Sequence, residues 1–489
     1  MKIIRELKQA ALTSISAKYL YYIVQLASLS ILARFFEPSE FGFVATIHVF
    51  MLFFFLLSEA GLGPALINEE KLNEKDRDGL FSFTIIVGLI TGTIFCLFLN
   101  FLNYFYKSQI YTDYSFLVFI PVMLSSITTI PLSALTREKK FFSISLIDII
   151  SELVSLAVVI TALEYYDPIY SLLAKYTIYS TFRFILLMLL SQDTEFGMPK
   201  PGLNLYSISK YKGFVTYQLG FNFINYFSRN LDNILIGKYI GISMLGVYEK
   251  SYSIMRYPLL LLTSAMMPAF QPVLKNYKND TALLLETHNK AIVVLIFLGT
   301  SAGCLMYEFS HEIVKVILGE QWSDVVPVIK IYSFSIPIQV VLSSSGAFFQ
   351  ATNNVNIMFR SGLFSALTNV AAITAGVYAG EIAYVAVFLT FSFSINMIQC
   401  YWIMYKKIFD STIIVFLKLA LKSSVVPLLI YTLAKKLANF LLIILELEDV
   451  FVGHFFAKIP FILTYGLALI ALFLFFKNKR KNGKSKIFS

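Results

Sequence analysis

Runs of about 20 apolar residues follow one another along almost the whole chain, parted by short polar breaks, and this leaves few folds open. They lie near 11–33, 42–65, 81–105, 115–135, 142–163, 168–190, 213–237, 246–270, 288–308, 325–348, 356–379, 381–405, 411–433 and 453–476. Only 14% of the 489 residues are charged, against about a quarter in a soluble domain, so no water-facing surface can cover this much hydrocarbon. In lipid each backbone polar group needs a partner within the protein, which permits helices or a closed barrel. Barrel strands alternate over about ten residues and these runs are continuous, so the chain is expected to be an all-α polytopic membrane protein with about 14 transmembrane helices. The first run is long and lacks a small-residue cleavage signature, so it is expected to remain as a span. The apolar stretch LANFLLIILELE (437–448) is short for a span and is expected to be interfacial or re-entrant.

Basic residues in the short loops set the orientation. With the N-terminus inside, Lys2, Arg5, Lys8, Lys71, Lys75, Arg77, Arg137, Lys139, Lys140, Lys200, Lys210, Lys212, Lys275, Lys278, Lys406, Lys407 and the tail KNKRKNGKSK fall on one side. The other side holds Arg34, Lys107, Lys238, Lys315, Lys435 and Lys436. The bias is roughly fourfold and predicts both termini in the cytoplasm. The net charge of +10 is therefore read as a topology signal and a contact with anionic lipid. No nucleic-acid motif accompanies it.

The chain also repeats itself. ILARFFEPSEFGFV (31–44) and ILIGKYIGISMLGVY (234–248) each close a span, cross a short outer loop with a basic residue and a glycine, and enter the next span. Arg34 falls on Lys238, Ser39 on Ser243 and Gly42 on Gly246. Copies about 200 residues apart are six spans apart and start on the same side, so they are parallel repeats about an axis along the membrane normal. The expected organisation is a six-helix lobe over 1–200, a second over 201–408, and two extra helices with a basic tail over 409–489. Two such lobes are expected to leave a central cavity, where transporters hold substrate.

Charges inside the spans are the candidate functional residues, because a charge at the bilayer centre costs about 2.5–3.5 kcal/mol on insertion scales and turns toward a bundle interior or water. Lys18 is on span 1, Glu59 on span 2, Asp148 and Glu152 on span 5, Lys175 and Arg183 on span 6, Arg229 and Asp232 on span 7, Glu249, Lys250 and Arg256 on span 8, and Arg360 on span 11. Lys18, Lys175, Arg183, Arg229, Arg256 and Arg360 are the expected cavity cations for an anionic substrate head, Arg matching phosphate oxygens bidentately. Glu59, Asp148, Glu152 and Asp232 are the expected coupling or cavity acids. Asp148 and Glu152 share a helical face, repel if both are ionised, and so want a cation or a shared proton. Structural alternatives stand beside these readings. Arg229 and Asp232 can neutralise each other, Glu249 and Lys250 can sit at the headgroups, and Arg360 can snorkel. The many tyrosines, with Asn222, Asn225, Asn230 and Asn233, can hydrogen-bond sugars.

Enzyme classes find little support. No phosphate-binding G-x-x-x-x-G-K-[ST] motif occurs, the GKS of the tail lacking its upstream glycine, and no loop exceeds about 20 residues, too few for a soluble catalytic domain. Cys96, Cys304 and Cys400 read as small core residues, and His48, His288, His311 and His454 have no metal-site spacing. No cofactor or metal is expected.

Several stretches together resemble the polysaccharide-transport branch of the multidrug/oligosaccharidyl-lipid/polysaccharide flippase superfamily. They are LARFFEPSEFGFVAT (32–46), SEAGLGPALIN (58–68), NYFSRNLDNILIGKYIG (225–241), GVYEKSYSIMRYPL (246–259), LGEQWSDVVPVIK (318–330) and FFQATNNVNIMFR (348–360). The resemblance covers nearly the whole chain. It implies two six-helix lobes in a V, often with two further helices, and flipping of an undecaprenyl-pyrophosphate-linked oligosaccharide by alternating access for O-antigen, capsule or exopolysaccharide. It implies drive by H⁺, Na⁺ or membrane potential, and would place a cationic cavity on Lys18, Lys175, Arg183, Arg229 and Arg256. The expected partners are that lipid-linked glycan and the bilayer; a polymerase partner stays open, and a monomer is expected. The rival readings are a multidrug exporter of the same superfamily, which prefers an acidic cavity for cationic drugs, and a membrane-embedded glycan-modifying enzyme, for which no nucleophile or base is identifiable.

Overall fold

The structure is a computed structural model that describes residues 2–59, 62–67, 73–204, 223, 226–227, 229–263, 280–444, 461–463 and 465–466. Every regular element among them is helical. In chain order they are α1 (Lys2–Phe35), α2 (Pro38–Ser58), α3 (Leu62–Ile67), α4 (Glu74–Tyr106), α5 (Ser115–Ile127), α6 (Thr129–Arg137), α7 (Phe141–Ala162) and α8 (Pro168–Ser191). There follow α9 (Ile242–Thr263), α10 (Thr281–Glu308), α11 (Ser310–Ile317), α12 (Val325–Ser333), α13 (Ser335–Ala351), α14 (Val355–Tyr378), α15 (Ile382–Lys407) and α16 (Ile413–Ile444). Eight helices among the described residues are long and apolar enough to cross a membrane, or ten if each of two bent pairs is one span. That is compatible with the expected fourteen; most of 213–237 and 453–476, and the end of 246–270, lie outside the described residues.

The helix starts follow from side chains that take up the free N–H groups of the first turn. Asn73 accepts from the Asp76 N–H, Asp167 from Tyr170 and Asp280 from Leu283. At α2, Pro38 takes the first helical position, where its missing N–H costs nothing, and Glu40 reaches back to the Glu37 N–H. Both bent pairs have one cause. Pro131 and Pro337 each clash with the carbonyl four residues earlier. The chain accordingly bends by 42° between α5 and α6 and by 54° between α12 and α13.

The stretch 437–448 is not a separate interfacial segment as far as it is described. Its residues to Ile444 continue α16, one 32-residue helix that also carries Lys435 and Lys436, expected in a loop. Lys238, expected in an outer loop, sits in a π-helical turn, Ile236–Ile240, with its ammonium on the Phe105 carbonyl and 4.5 Å from the Phe105 ring.

The chain divides into two compact units. The first comprises Met1–Ser253, Val314–Val328 and Ala366–Leu389. In it α4 lies on α5, α7 on α1 and α8, and α5 on α8, while Leu62, Leu66, Leu80, Phe81, Leu124, Ile127 and Ile130 form a core around α3. α2 is its enclosed member, with 67% of its apolar window buried. At the ends of α4 and α6 the segment 193–204 is tied down. Lys200 and Gly202 donate their N–H groups to Asp78 and Ser82, Asn204 donates to Asp76, and Lys140 reaches the Asp193 carbonyl. Burial would raise the Glu138 carboxyl at this corner, but the Lys140 hydrogen bond, the Glu195 N–H and the charges of Lys140 and Arg137 together hold it below the usual range.

α2 and α9 cross within the first unit with nothing between their backbones. A Cβ on Gly42 would lie 1.8 Å from the Ile242 carbonyl oxygen, and one on Gly246 would lie 2.0 Å from that of Pro38. Each glycine thus meets the carbonyl four residues before the other, a local two-fold between the two residues that the sequence repeat aligns. Gly241, at φ +135°, admits the chain to α9 with a backbone that side chains rarely adopt.

The second unit comprises Ile254–Ile313, Ile329–Ser365 and Thr390–Ser489. Its α10 lies against α13 and α16. Glu308 at the end of α10 accepts from Tyr431 at 2.6 Å and Lys435 at 2.9 Å, which fastens α16 to it. His288 is wholly buried among Phe348, Tyr401, Tyr405 and Phe409.

Candidate functional site

Eight of the ten sequence-predicted site residues belong to the first unit, and Arg256 and Arg360 belong to the second. The helices α7 and α8 form an antiparallel hairpin, and across it two of the expected cations meet two of the expected acids. Arg183 Nε donates to Asp148 Oδ1 at 2.8 Å, and Lys175 Nζ donates to Glu152 Oε1 at 2.6 Å. Tyr179 adds a hydroxyl to Asp148 at 3.3 Å, and Tyr21 of α1 stands within electrostatic reach of both carboxylates and Arg183. The cation that Asp148 and Glu152 require is therefore supplied twice by the next helix. Removing one partner of such an enclosed pair strands a charge, at up to about 3–5 kcal/mol.

Asp232 is buried, and its carboxylate accepts from the Tyr248 hydroxyl at 2.7 Å and the Asn233 N–H at 2.9 Å. Arg229 is exposed and makes no ion pair among the described residues, so local neutralisation of Arg229 by Asp232 does not occur. Lys18, Arg256 and Arg360 are likewise exposed without an ion-pair partner among the described residues. Glu59, at the C-cap of α2, is exposed within electrostatic reach of Arg183. Asn230 and Asn233 are part-buried, and Asn222 and Asn225 lie outside the described residues. In a membrane-spanning helix an exposed charge is solvated by enclosed water or, near a helix end as at Arg360, by snorkelling to the interface.

A third pair completes the polar interior of this unit. Lys250 and Glu249 of α9 meet at 2.6 Å, and the ammonium stands 4.0 Å over the ring of Phe41. The side chain of Lys250 is only 9% exposed, so it does not sit among headgroups. Phe41 in turn meets the Trp322 ring edge-on at 5.5 Å. Trp322 and Gln321 both donate to the Ala33 carbonyl, and Arg34 donates to that of Val316. Between this pair and Lys175 lie His48 of α2 and Tyr176 of α8, stacked at 4.8 Å. Lys175, Glu249 and Lys250 all bear electrostatically on His48, and Glu152 and Glu249 on Tyr176.

Sequence reasoning missed His48, Tyr21, Tyr176 and Tyr179 and misplaced Lys250. One signal was available for Lys250. It lies eight residues inside α9, about 12 Å from the helix start at 1.5 Å per residue, deeper than a headgroup residue needs to be.

The chain is 20% identical over 395 residues to the lipopolysaccharide biosynthesis protein WzxC of Escherichia coli, covering 79% of this chain and 78% of that one. It is 22% identical over 340 residues to the teichuronic acid biosynthesis protein TuaB of Bacillus subtilis (69% of each). To the succinoglycan biosynthesis transport protein ExoT of Rhizobium meliloti it is 21% identical over 396 residues, 80% of this chain and 78% of that one. Among solved structures, the lipid II flippase MurJ in an inward closed conformation matches with TM-score 0.75 at 15% identity, over 94% of this chain and 98% of MurJ. An inward-facing multidrug transporter of the MATE family matches with TM-score 0.61 at 11% identity, over 80% of this chain and 95% of that one. At these identities the structural matches establish the fold alone, an all-helical multi-pass one. Residues 31–327 match the family described as polysaccharide biosynthesis protein, and since that is more than half of the 489 residues, the chain belongs to the polysaccharide biosynthesis protein family.

Proposed function

We propose that the chain is a lipid-linked oligosaccharide flippase. It carries undecaprenyl-pyrophosphate-linked repeat units from the inner to the outer leaflet of a bacterial cytoplasmic membrane, with both termini in the cytoplasm, for a surface polysaccharide. The observation that carries this reading is the set of cations on apolar helices that have no ion-pair partner among the described residues: Lys18 and Arg229 in one unit, Arg256 and Arg360 in the other. An enclosed, hydrated surplus of positive charge solvates a pyrophosphate head and repels the cationic drugs of multidrug exporters. The glycan travels in the hydrated interior while the lipid tail stays in the bilayer. The chain moves its substrate without making or breaking bonds in it, works as a monomer, and needs no cofactor.

Asp148 and Glu152 couple transport to H⁺ or Na⁺. Each is held by a cation while the site is empty and becomes available to a small ion when that cation turns to phosphate. One charge moving through 100 mV supplies about 2.3 kcal/mol, enough to bias a two-state equilibrium. Extraction and mass spectrometry of the lipid-linked oligosaccharide pool in cells lacking the protein test the reading. Accumulation of an undecaprenyl-pyrophosphate glycan with loss of surface polymer is expected. Normal pools and polymer together with raised drug sensitivity would overturn it.

A further inference from the structure

The three ion pairs that α7, α8 and α9 carry in the first unit have an order as well as a charge. α8 runs inward from Pro168, so by the loop-charge orientation Arg183 lies deeper toward the cytoplasm than Lys175. They are eight residues apart, about 12 Å along the axis at 1.5 Å per residue. Lys250 follows on the outer side, reached past the stacked His48 and Tyr176, and it lies one helical turn below the Gly42–Gly246 crossing. The last cation is the most enclosed of the three, while its partner Glu249, at 28%, is the most exposed of the three acids. The cation side chains are 23% exposed at Arg183, 21% at Lys175 and 9% at Lys250, where the Phe41 ring closes over the ammonium.

Each cation is neutralised by one carboxylate, and at Arg183 only Nε makes that contact. Both terminal nitrogens of the guanidinium, the pair that suits two phosphate oxygens, are left to another acceptor. A pair built only to neutralise charge for membrane insertion would be best served by bidentate contact and full burial. A series of one-point contacts suits exchange: an arriving phosphate takes the cation from its carboxylate, and the freed carboxylate takes up the coupling H⁺ or Na⁺, which keeps the site neutral.

We propose that Arg183, Lys175 and Lys250 are successive stations for the anionic head, masked between visits by Asp148, Glu152 and Glu249, and that Lys250 is the exit station. This rests on the flippase reading. It adds a residue outside the expected cavity set and gives the acids a role as internal competitors of the substrate. The hand-off needs no station to bind tightly, because each resident carboxylate returns as the phosphate leaves. It also places the last station under the α2–α9 seam, so the head reaches Lys250 before the outer end opens.

The test uses the full-length protein in nanodiscs and undecaprenyl diphosphate, without glycan, as probe. Removing a competitor unmasks its cation. Glu152→Gln and Glu249→Gln are expected to tighten probe binding roughly tenfold each while slowing export of surface polymer in cells. Lys250→Met is expected to weaken export, and Lys250→Arg to restore a measurable part of it. Size-exclusion chromatography checks that each variant folds. Wild-type binding with unchanged or weaker binding in both Gln variants overturns the stations and makes the pairs structural. Export unchanged in Lys250→Met removes the exit station. If the wild type does not take the probe, and cells lacking the protein keep normal polymer, the flippase reading itself has failed.

Discussion

Gly42→Ala is the smallest change that should move this protein between states. The added methyl would stand 1.8 Å from the Ile242 carbonyl oxygen, where a carbon and an oxygen tolerate no less than about 3.2 Å, so the backbones must part by more than an ångström. The atom it meets is backbone, which no rotamer change can remove. Overpacking of this kind costs about 1–3 kcal/mol, and a two-state equilibrium responds to that by about 5–150-fold. The cost falls on the state in which α2 and α9 touch. By the loop-charge orientation that contact closes the outer end, so the variant should favour an outer end that is open. Val247, 1% exposed on α9, reports it. With Cys96, Cys304 and Cys400 replaced, Val247→Cys should react slowly with a membrane-impermeant maleimide added outside. With Gly42→Ala it should react faster by a factor in that range, and polymer export should fall because the cycle cannot reclose. The local two-fold makes Gly246→Ala, at 2.0 Å from the Pro38 oxygen, a second version of the same experiment. The double variant should add little, since both methyls open one seam. Gly241→Ala is the contrast: its φ of +135° strains the chain, yet a methyl there meets nothing within 4 Å, so it should destabilise without speeding labelling. Equal labelling rates for wild type and both seam variants, all folded and inserted, would refute the closed-seam reasoning.

Three further outcomes follow from contacts elsewhere. Lys175→Ala strands the Glu152 carboxylate and should cost up to about 3–5 kcal/mol of stability, most of which Lys175→Ala with Glu152→Gln recovers, as a thermal-shift series in detergent would show. Glu138 has a folded carboxyl held below its unfolded value, so its contribution is present above the ordinary carboxylate range and is lost as pH falls through the lowered value. The protection factor of the Glu195 amide, its exchange rate relative to the free-peptide rate at the same pH, should therefore fall in acid, and Glu138→Gln should flatten that dependence. Tyr431→Phe and Lys435→Met each remove a donor to Glu308; together they should loosen α16 from α10, by about 0.5–1.5 kcal/mol for each hydrogen bond lost, and increase protease cleavage around 409–412.

Hydropathy located the long apolar helices of the described residues, because the length of an apolar run is set by the bilayer and not by any neighbour. It could not reveal that 115–135 and 325–348 are each two helices. A window sums composition, and the bend at Thr128 or Phe334 is made by a single proline a turn further on. The charges show the same division. That Asp148 and Glu152 share a face follows from helical period alone, and so does their need for a counter-charge. That the counter-charges are Arg183 and Lys175 depends on the register of α7 against α8, which the turn at 163–167 sets and no periodicity encodes. His48 against Tyr176 is more remote still, since it joins two helices that are not sequence neighbours.

The repeat was legible for a different reason: loops must carry glycine and polar residues where spans are interchangeable, so the loops preserve alignment. Aligning Gly42 with Gly246 names an equivalent pair, but almost every equivalent pair in a two-fold arrangement is far apart. Only residues on the axis meet their own counterparts, as in an isologous dimer interface. A glycine at both positions is what such a meeting demands, because two helices that touch backbone to backbone on an axis have no room for a side chain on either. The aligned glycine pair therefore marked where the axis runs, one turn above the buried ammonium of Lys250.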